Sequence, residues 1–183
     1  MATGDARNVL LTTARLRVAT LTLDDAAFIL ELVNEPGWLE FIGDKGVRSL
    51  DDARRYLTSG PLAMYERRGF GLWRVESRET AEPMGICGFI RRDFLEHPDL
   101  GFAFLDRNCG HGYGAEAAAA VLDYGVRALG IAQVLALTAL HNTRSIRVLE
   151  RLGFRFDRLL PATDVMRDSR LFVWEQRLTT VTK

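Results

Sequence analysis

The sequence predicts an α+β fold, with a mixed, mainly antiparallel sheet of about six to seven strands and helices on both faces. Three observations carry that expectation. Segments 70–77 (FGLWRVES), 84–92 (MGICGFIRR) and 99–106 (DLGFAFLD) are consecutive strand-like runs, which read as an antiparallel meander. Directly after the third run, residues 110–120 (GHGYGAEAAAA) change from glycine-rich to alanine-rich, so bare backbone precedes a strong helix former. The nearly all-apolar run 133–140 (QVLALTAL) then reads as a buried strand.

The remaining elements follow in order. Residues 1–13 read as a flexible arm, and residues 14–183 as one domain. RLRVA (15–19) is a first strand. Residues 22–34 form an amphipathic helix, with Asp24 and Asp25 in the first turn where the helix dipole favours anions. EPGWLEFIGDKGV (35–47) is a loop or broken helix. Ser49 is an N-cap candidate for a helix reaching about Arg68, broken or kinked at Gly60-Pro61. RETAEP (78–83) is a hairpin turn. The helix after Gly114 presents Ala118, Val121, Leu122, Gly125 and Leu129 on one face and stops at Gly130. Asn142 caps a further helix that stops at Gly153, and FRFDRLL and SRLFVWEQRL close the chain as strands.

Composition removes several classes. Lys plus Arg equals Asp plus Glu at 24 each, so no global field draws nucleic acid or an anionic membrane. Residues 1–16 carry no long apolar core followed by a cleavage site, so no signal peptide is expected. No run approaches a membrane span. Cys87 and Cys109 form no CxxC pair, which suits a reducing, cytoplasmic setting. His97, His111 and His141 show no metal-ligand spacing, and no metal is expected.

Glycines before a helix N-terminus leave free N–H groups approachable, which is the usual construction of a phosphate site. A ligand-free strand-to-helix turn is the bland alternative. A P-loop needs GK[ST], and this chain has GYG. A dinucleotide fingerprint is matched literally by Gly110, Gly112 and Ala115, but the next strand ends LTALHN, without the acid that would hold a ribose.

Residues 99–125 (DLGFAFLDRNCGHGYGAEAAAAVLDYG) followed by 141–154 (HNTRSIRVLERLGF) resemble the GCN5-related N-acetyltransferase (GNAT) superfamily. Within it they look most like the branch that acetylates ribosomal-protein N-termini. The family motif Q/R-x-x-G-x-G/A falls on residues 109–114, with Cys109 where the motif has Gln or Arg. The resemblance implies a GNAT-like fold and acetyl-CoA as cosubstrate. It implies that pantetheine pairs with the backbone of Phe102, Ala103, Phe104 and Leu105, and that pyrophosphate lies on the amides of Gly110, His111, Gly112, Tyr113, Gly114 and Ala115. Asn142 would bond the pantetheine or substrate side as well as cap its helix. Arg144, Arg147 and Arg151 lie on one helix at spacings of three and four, which usually marks a solvated face; the resemblance would instead take Arg147 to the 3′-phosphate.

The catalytic implications are narrower. Leu149 stands where relatives often carry a tyrosine that protonates the departing thiolate, and in the branch resembled here a serine at the position of Ser145 is proposed for that task. An inert first-turn serine is the alternative. Asp99 is the candidate to receive the amine's proton, its alternative being a solvated strand-end acid. Glu116 is declined as a base, since a first-turn carboxylate serves the dipole. Trp38, Phe41 and Ile42 would shape the acceptor pocket, or else are ordinary core. The expected activity is acetyl transfer to a primary amine, a protein N-terminus or a small molecule, within a ternary complex. The alternatives are an acyl-CoA-binding sensor or interaction domain without turnover and a dinucleotide-binding enzyme. Monomer and homodimer both remain open.

Overall fold

The computed structural model describes residues 7–163 and 167–176. Eight strands make one sheet: β1 (Val9–Thr12), β2 (Leu16–Ala19), β3 (Leu72–Ser77), β4 (Pro83–Ile90), β5 (Asp99–Phe104), β6 (Gln133–Ala139), β7 (Arg155–Leu160) and β8 (Ser169–Glu175). Their order across the sheet is β1-β2-β3-β4-β5-β6-β8-β7. All pairings are antiparallel except β5 with β6. The mainly antiparallel reading therefore holds, with one strand more than expected.

The extra strand is β1, which corrects the reading of residues 1–13 as a flexible arm. Val9–Thr12 pairs with β2, and Glu116 holds the β1–β2 turn down. Its carboxylate accepts from the Thr13 hydroxyl at 2.6 Å, the Arg15 amide at 3.0 Å and Arg15 Nε at 2.7 Å. Residues 1–6 of the arm lie outside the described residues, as do Arg177 and Leu178 at the end of the predicted last strand.

Helices cover both faces. On one face, α5 (Tyr113–Leu129) lays Ala117, Ala118, Val121, Leu122 and Gly125 against the sheet, close to the predicted stripe. It shares its core with α6 (Thr143–Arg151), through Leu149. On the other face lie α1 (Ala26–Leu32), α2 (Pro36–Phe41), α3 (Leu50–Leu57) and α4 (Ala63–Arg68), around Ile29, Leu32, Trp38 and Leu57. The 35–47 loop thus contains a short helix opened by Pro36 at its first position, where the missing N–H costs nothing. The predicted kink is a π-turn over Thr58–Leu62 that absorbs Pro61 and joins α3 to α4.

Asp25 keeps its predicted first-turn place, accepting from the Thr22 amide at 2.9 Å, and takes on a second role. It is buried rather than simply facing the dipole, and accepts from Arg74 Nη1 at 2.6 Å and Arg7 Nη2 at 2.7 Å. Arg74 also donates to Glu76 at 2.8 Å. A buried acid tied to two arginines fixes α1 against β3, and losing one partner there would strand a charge.

Burial raises the Glu116 carboxyl, but the bonds from Thr13 and Arg15 outweigh it and hold the group below its ordinary 4.5. A depressed carboxylate stabilises the fold above its unfolded pKa, and that contribution is lost as pH falls through the folded value. Glu116→Ala should lower stability by about 1 kcal/mol at neutral pH. The deficit should shrink below pH 4.5. Urea titrations at both pH values measure it.

Candidate active site

The sheet opens between β5 and β6. The two strands pair only at Asp99 and Leu135, where the Leu135 amide donates to the Pro98 carbonyl at 2.9 Å, and then diverge. On its other side β5 stays paired with β4 along its whole length. Register decides which backbone groups are left over. The Leu105 amide donates to the Met84 carbonyl at 2.9 Å, so Ala103 and Gly101 also turn their groups toward β4. Those of Phe102 and Phe104 then face the gap. The gap widens into a cavity of about 760 Å³ running between the glycine loop, α6 and the α2–α3 region.

The glycine loop closes one end. Gly110 and Gly112 have φ of +84° and +81°, a left-handed conformation that side chains disfavour. Gly112 is the N-cap of α5. The first amide bonded within the helix is that of Glu116, to the Gly112 carbonyl at 3.1 Å, so the amides of Tyr113, Gly114 and Ala115 have no helical acceptor. All three residues line the cavity.

The facing wall is α6. Asn142 accepts from the Ser145 amide at 3.1 Å, as a cap should. Ser145 lines the cavity, and its hydroxyl makes no hydrogen bond to a described residue. Arg144, Arg147 and Arg151 recur at helical spacing and all line the cavity. None has a carboxylate partner among the described residues. Three unneutralised guanidiniums opposite free helix amides make a strongly anion-attracting end. Cys109 also lines the cavity, and burial together with Asp106 pushes its thiol up, against the pull of Arg144.

At the far end lies Asp99. It is only 2% exposed and bonded by Arg92 Nε at 3.0 Å, so it is no solvated strand-end acid. Burial raises its pKa, against the pull of Arg92. Trp38, Phe41 and Ile42 also line the cavity. Trp38 is also core, with Nε1 donating to the Gly43 carbonyl at 3.1 Å. No group of three His, Cys, Asp or Glu among the described residues is placed to hold a metal.

The acetyltransferase (GNAT) domain family matches residues 15–155. The chain belongs to the GNAT acetyltransferase family. Curated relatives include the uncharacterized protein YkkB of Bacillus subtilis, 28% identical over 155 residues (82% of this chain, 87% of the relative). Another is the uncharacterized N-acetyltransferase YoaA of the same organism, 26% identical over 152 residues (82% and 85%). Among solved structures, an acetyltransferase from Agrobacterium tumefaciens superposes with TM-score 0.76 at 23% identity, covering 96% of this chain and 98% of that one. RimL, a ribosomal-protein alpha-N-acetyltransferase in complex with coenzyme A, gives TM-score 0.78 at 14% identity (92% and 98%).

Against this GNAT frame, most residues singled out from sequence meet at one cavity. Two do not. Leu105 lies beyond β5, fully buried in the α1–α4 core, with its amide already used by Met84. His111 has no surface on the cavity, and its carbonyl accepts from Arg15 Nη1 at 3.0 Å. Sequence reasoning missed Arg15 altogether. Its guanidinium pairs with Glu116 at 2.7 Å, lies 4.5 Å from the centre of the Tyr113 ring and so braces the loop from behind. Nothing local in RLRVA signals that role, because its partners are about a hundred residues away. Arg144 and Arg151 were legible as one helical face but not as a cavity wall.

A side chain at Gly112 would be held at a disfavoured φ, with the Arg15 guanidinium at an ordinary contact distance of 3.5 Å. Gly112→Ala should cost about 1–2 kcal/mol of stability, measured by urea unfolding, and should weaken CoA binding further than that cost explains.

Proposed function

We propose that this GNAT protein is an acetyl-CoA-dependent N-acetyltransferase that moves the acetyl group directly to a primary amine, a protein N-terminus or a small amine, in a ternary complex. The observation that carries the reading is the continuous path from the unpaired β5 edge to the glycine loop. Phe102 and Phe104 offer backbone groups to an extended amide-bearing arm, as an added strand would need. The amides of Tyr113, Gly114 and Ala115 receive the pyrophosphate, with Arg144, Arg147 and Arg151 available to the remaining phosphate. The coenzyme A complex of RimL, a protein of the same fold, supports this assignment.

The chemistry then falls part-way along the open β5 edge, between Ser145 and Asp99. The neutral amine attacks the thioester carbonyl, and an amide of the β5 edge stabilises the developing oxyanion. The Ser145 hydroxyl protonates the thiolate, or stabilises it from the N-terminal end of α6 while water does so. An α-amine has a pKa of about 7.7–8.0, so much of it is already neutral and a weak base suffices. Asp99 takes the amine's proton through water, its burial favouring the protonated form. Two free cysteines suit a reducing cytoplasm, and no described helix is long and apolar enough to cross a membrane.

A thermal-shift series with acetyl-CoA, CoA, dephospho-CoA and NAD tests the coenzyme. Saturation about 100-fold above Kd should raise Tm by roughly 5–10 °C for the CoA species, with no rise for NAD. Arg147→Ala should lower CoA affinity about tenfold and erase the preference for CoA over its dephospho form. No rise with any CoA species removes the reading. Ser145→Ala should reduce kcat by about tenfold or more with acetyl-CoA affinity unchanged; an unchanged kcat takes Ser145 out of the mechanism. Binding without an acetylated product on any amine would establish the sensor alternative, which Leu149 in place of a hydroxyl keeps in view.

A further inference from the structure

We infer that the acceptor carries an anionic group, a carboxylate or a phosphate, besides its reacting amine, and that Lys45, Tyr56 and Arg92 receive it. The inference rests on the acetyltransferase reading above and names the substrate class of that site.

Lys45 and Arg92 line the same end of the cavity as Asp99. Arg92 is spoken for by Asp99 only through Nε; its two Nη groups make no hydrogen bond to a described residue. Its guanidinium lies 6.0 Å from the centre of the Phe94 ring, which steadies it. Lys45 is the lone lysine among the described residues, in a chain whose other cations there are all arginines. It has no carboxylate partner among those residues. Its ammonium is held below its usual pKa, first by partial burial and then by the charge of Arg92. Two like charges are therefore brought together at the cavity, one of them with nothing to neutralise it.

Tyr56 adds a third donor. It lines the cavity, its hydroxyl has no hydrogen-bond partner among the described residues, and burial pushes its phenol to about 12, so it remains protonated. Arg92 is close enough to act on it electrostatically. An ammonium, a guanidinium and a phenol, none of them saturated, match the oxygen-rich outline of a carboxylate or phosphate. The carboxylates at the cavity do not reverse this balance. Asp99 is cancelled by Arg92. Asp106 belongs to the other end, beside Cys109 and beyond Phe104, which itself lies about 17 Å along β5 from Asp99 at the usual rise per residue. A polyamine would bring its second cation against Lys45 and Arg92.

Matched acceptor pairs differing by one charge test the idea: dialanine against its amide, short peptides with Asp against Asn at the second residue, and phosphoethanolamine against ethanolamine. The anionic member of at least one pair should win by about tenfold in kcat/KM, mainly through KM. The peptide and phosphate arms tell a carboxylate source from a phosphate source. Lys45→Met and Tyr56→Phe should each shrink that ratio severalfold, and Lys45→Glu should invert it. Both Lys45 variants change a loop position outside the hydrophobic cores, so folding is not the limit. Ratios within twofold of unity for every pair, or a ratio untouched by Lys45→Met, overturn the inference while leaving the acetyltransferase standing. A Tm rise with CoA but no acetylated product on any amine overturns the transfer reading, and the inference with it.

Discussion

Everything in this molecule that bears on function depends on a backbone obligation left unmet. Two parallel strands, β5 and β6, share one bridge and then part. An inner strand in a sheet ordinarily satisfies both of its edges, and buried amides and carbonyls without partners are costly. Here the cost is accepted over Phe102–Phe104, because β4 holds the other edge in full register and keeps the strand straight. The open edge is a preformed strand slot. A ligand that supplies amide groups would complete the sheet there.

The cavity's two ends have opposite tasks and are built by different means. At the glycine end, the proposed anion site is mostly main chain: two left-handed glycines, three free amides and the dipole of a 17-residue helix. Side chains from α6 only add charge opposite. The loop needs bracing, since left-handed glycines give no stiffness of their own. Arg15 and Glu116 supply it by joining the β1–β2 turn, the His111 carbonyl and the first turn of α5 into one bonded unit. At the Asp99 end, side chains dominate, and burial rather than backbone geometry sets their character. Asp99 is lifted toward its neutral form while Lys45 is pushed the other way.

How far this was legible varies with the range of the interaction involved. The meander, the glycine loop and α5 were readable because each announces itself within a few residues: strand-like runs, turn residues, a change from glycine to alanine. Asn142 was readable as a cap for the same reason. The N-terminal arm misled, since Val9–Thr12 has no strong strand pattern and is held by β2 and, through the adjoining turn, by a carboxylate more than a hundred residues on. Leu105 misled in a subtler way. Alternation places it on the strand, but the chain has already left the sheet edge and buried it in the opposite core.

The sequence by itself determined the local chemistry: where φ must be positive, where a helix starts with bare amides, which asparagine caps the later helix and which arginines recur along it. These follow from steric and hydrogen-bonding rules that act over one or two turns. Only the tertiary structure decided that β5 and β6 diverge, that Asp99 is buried under Arg92, that Arg15 clamps the loop and that Lys45 stands beside a second cation. Each is a meeting of segments distant in the chain, settled by which face of a strand or helix is left uncovered once the two cores have packed.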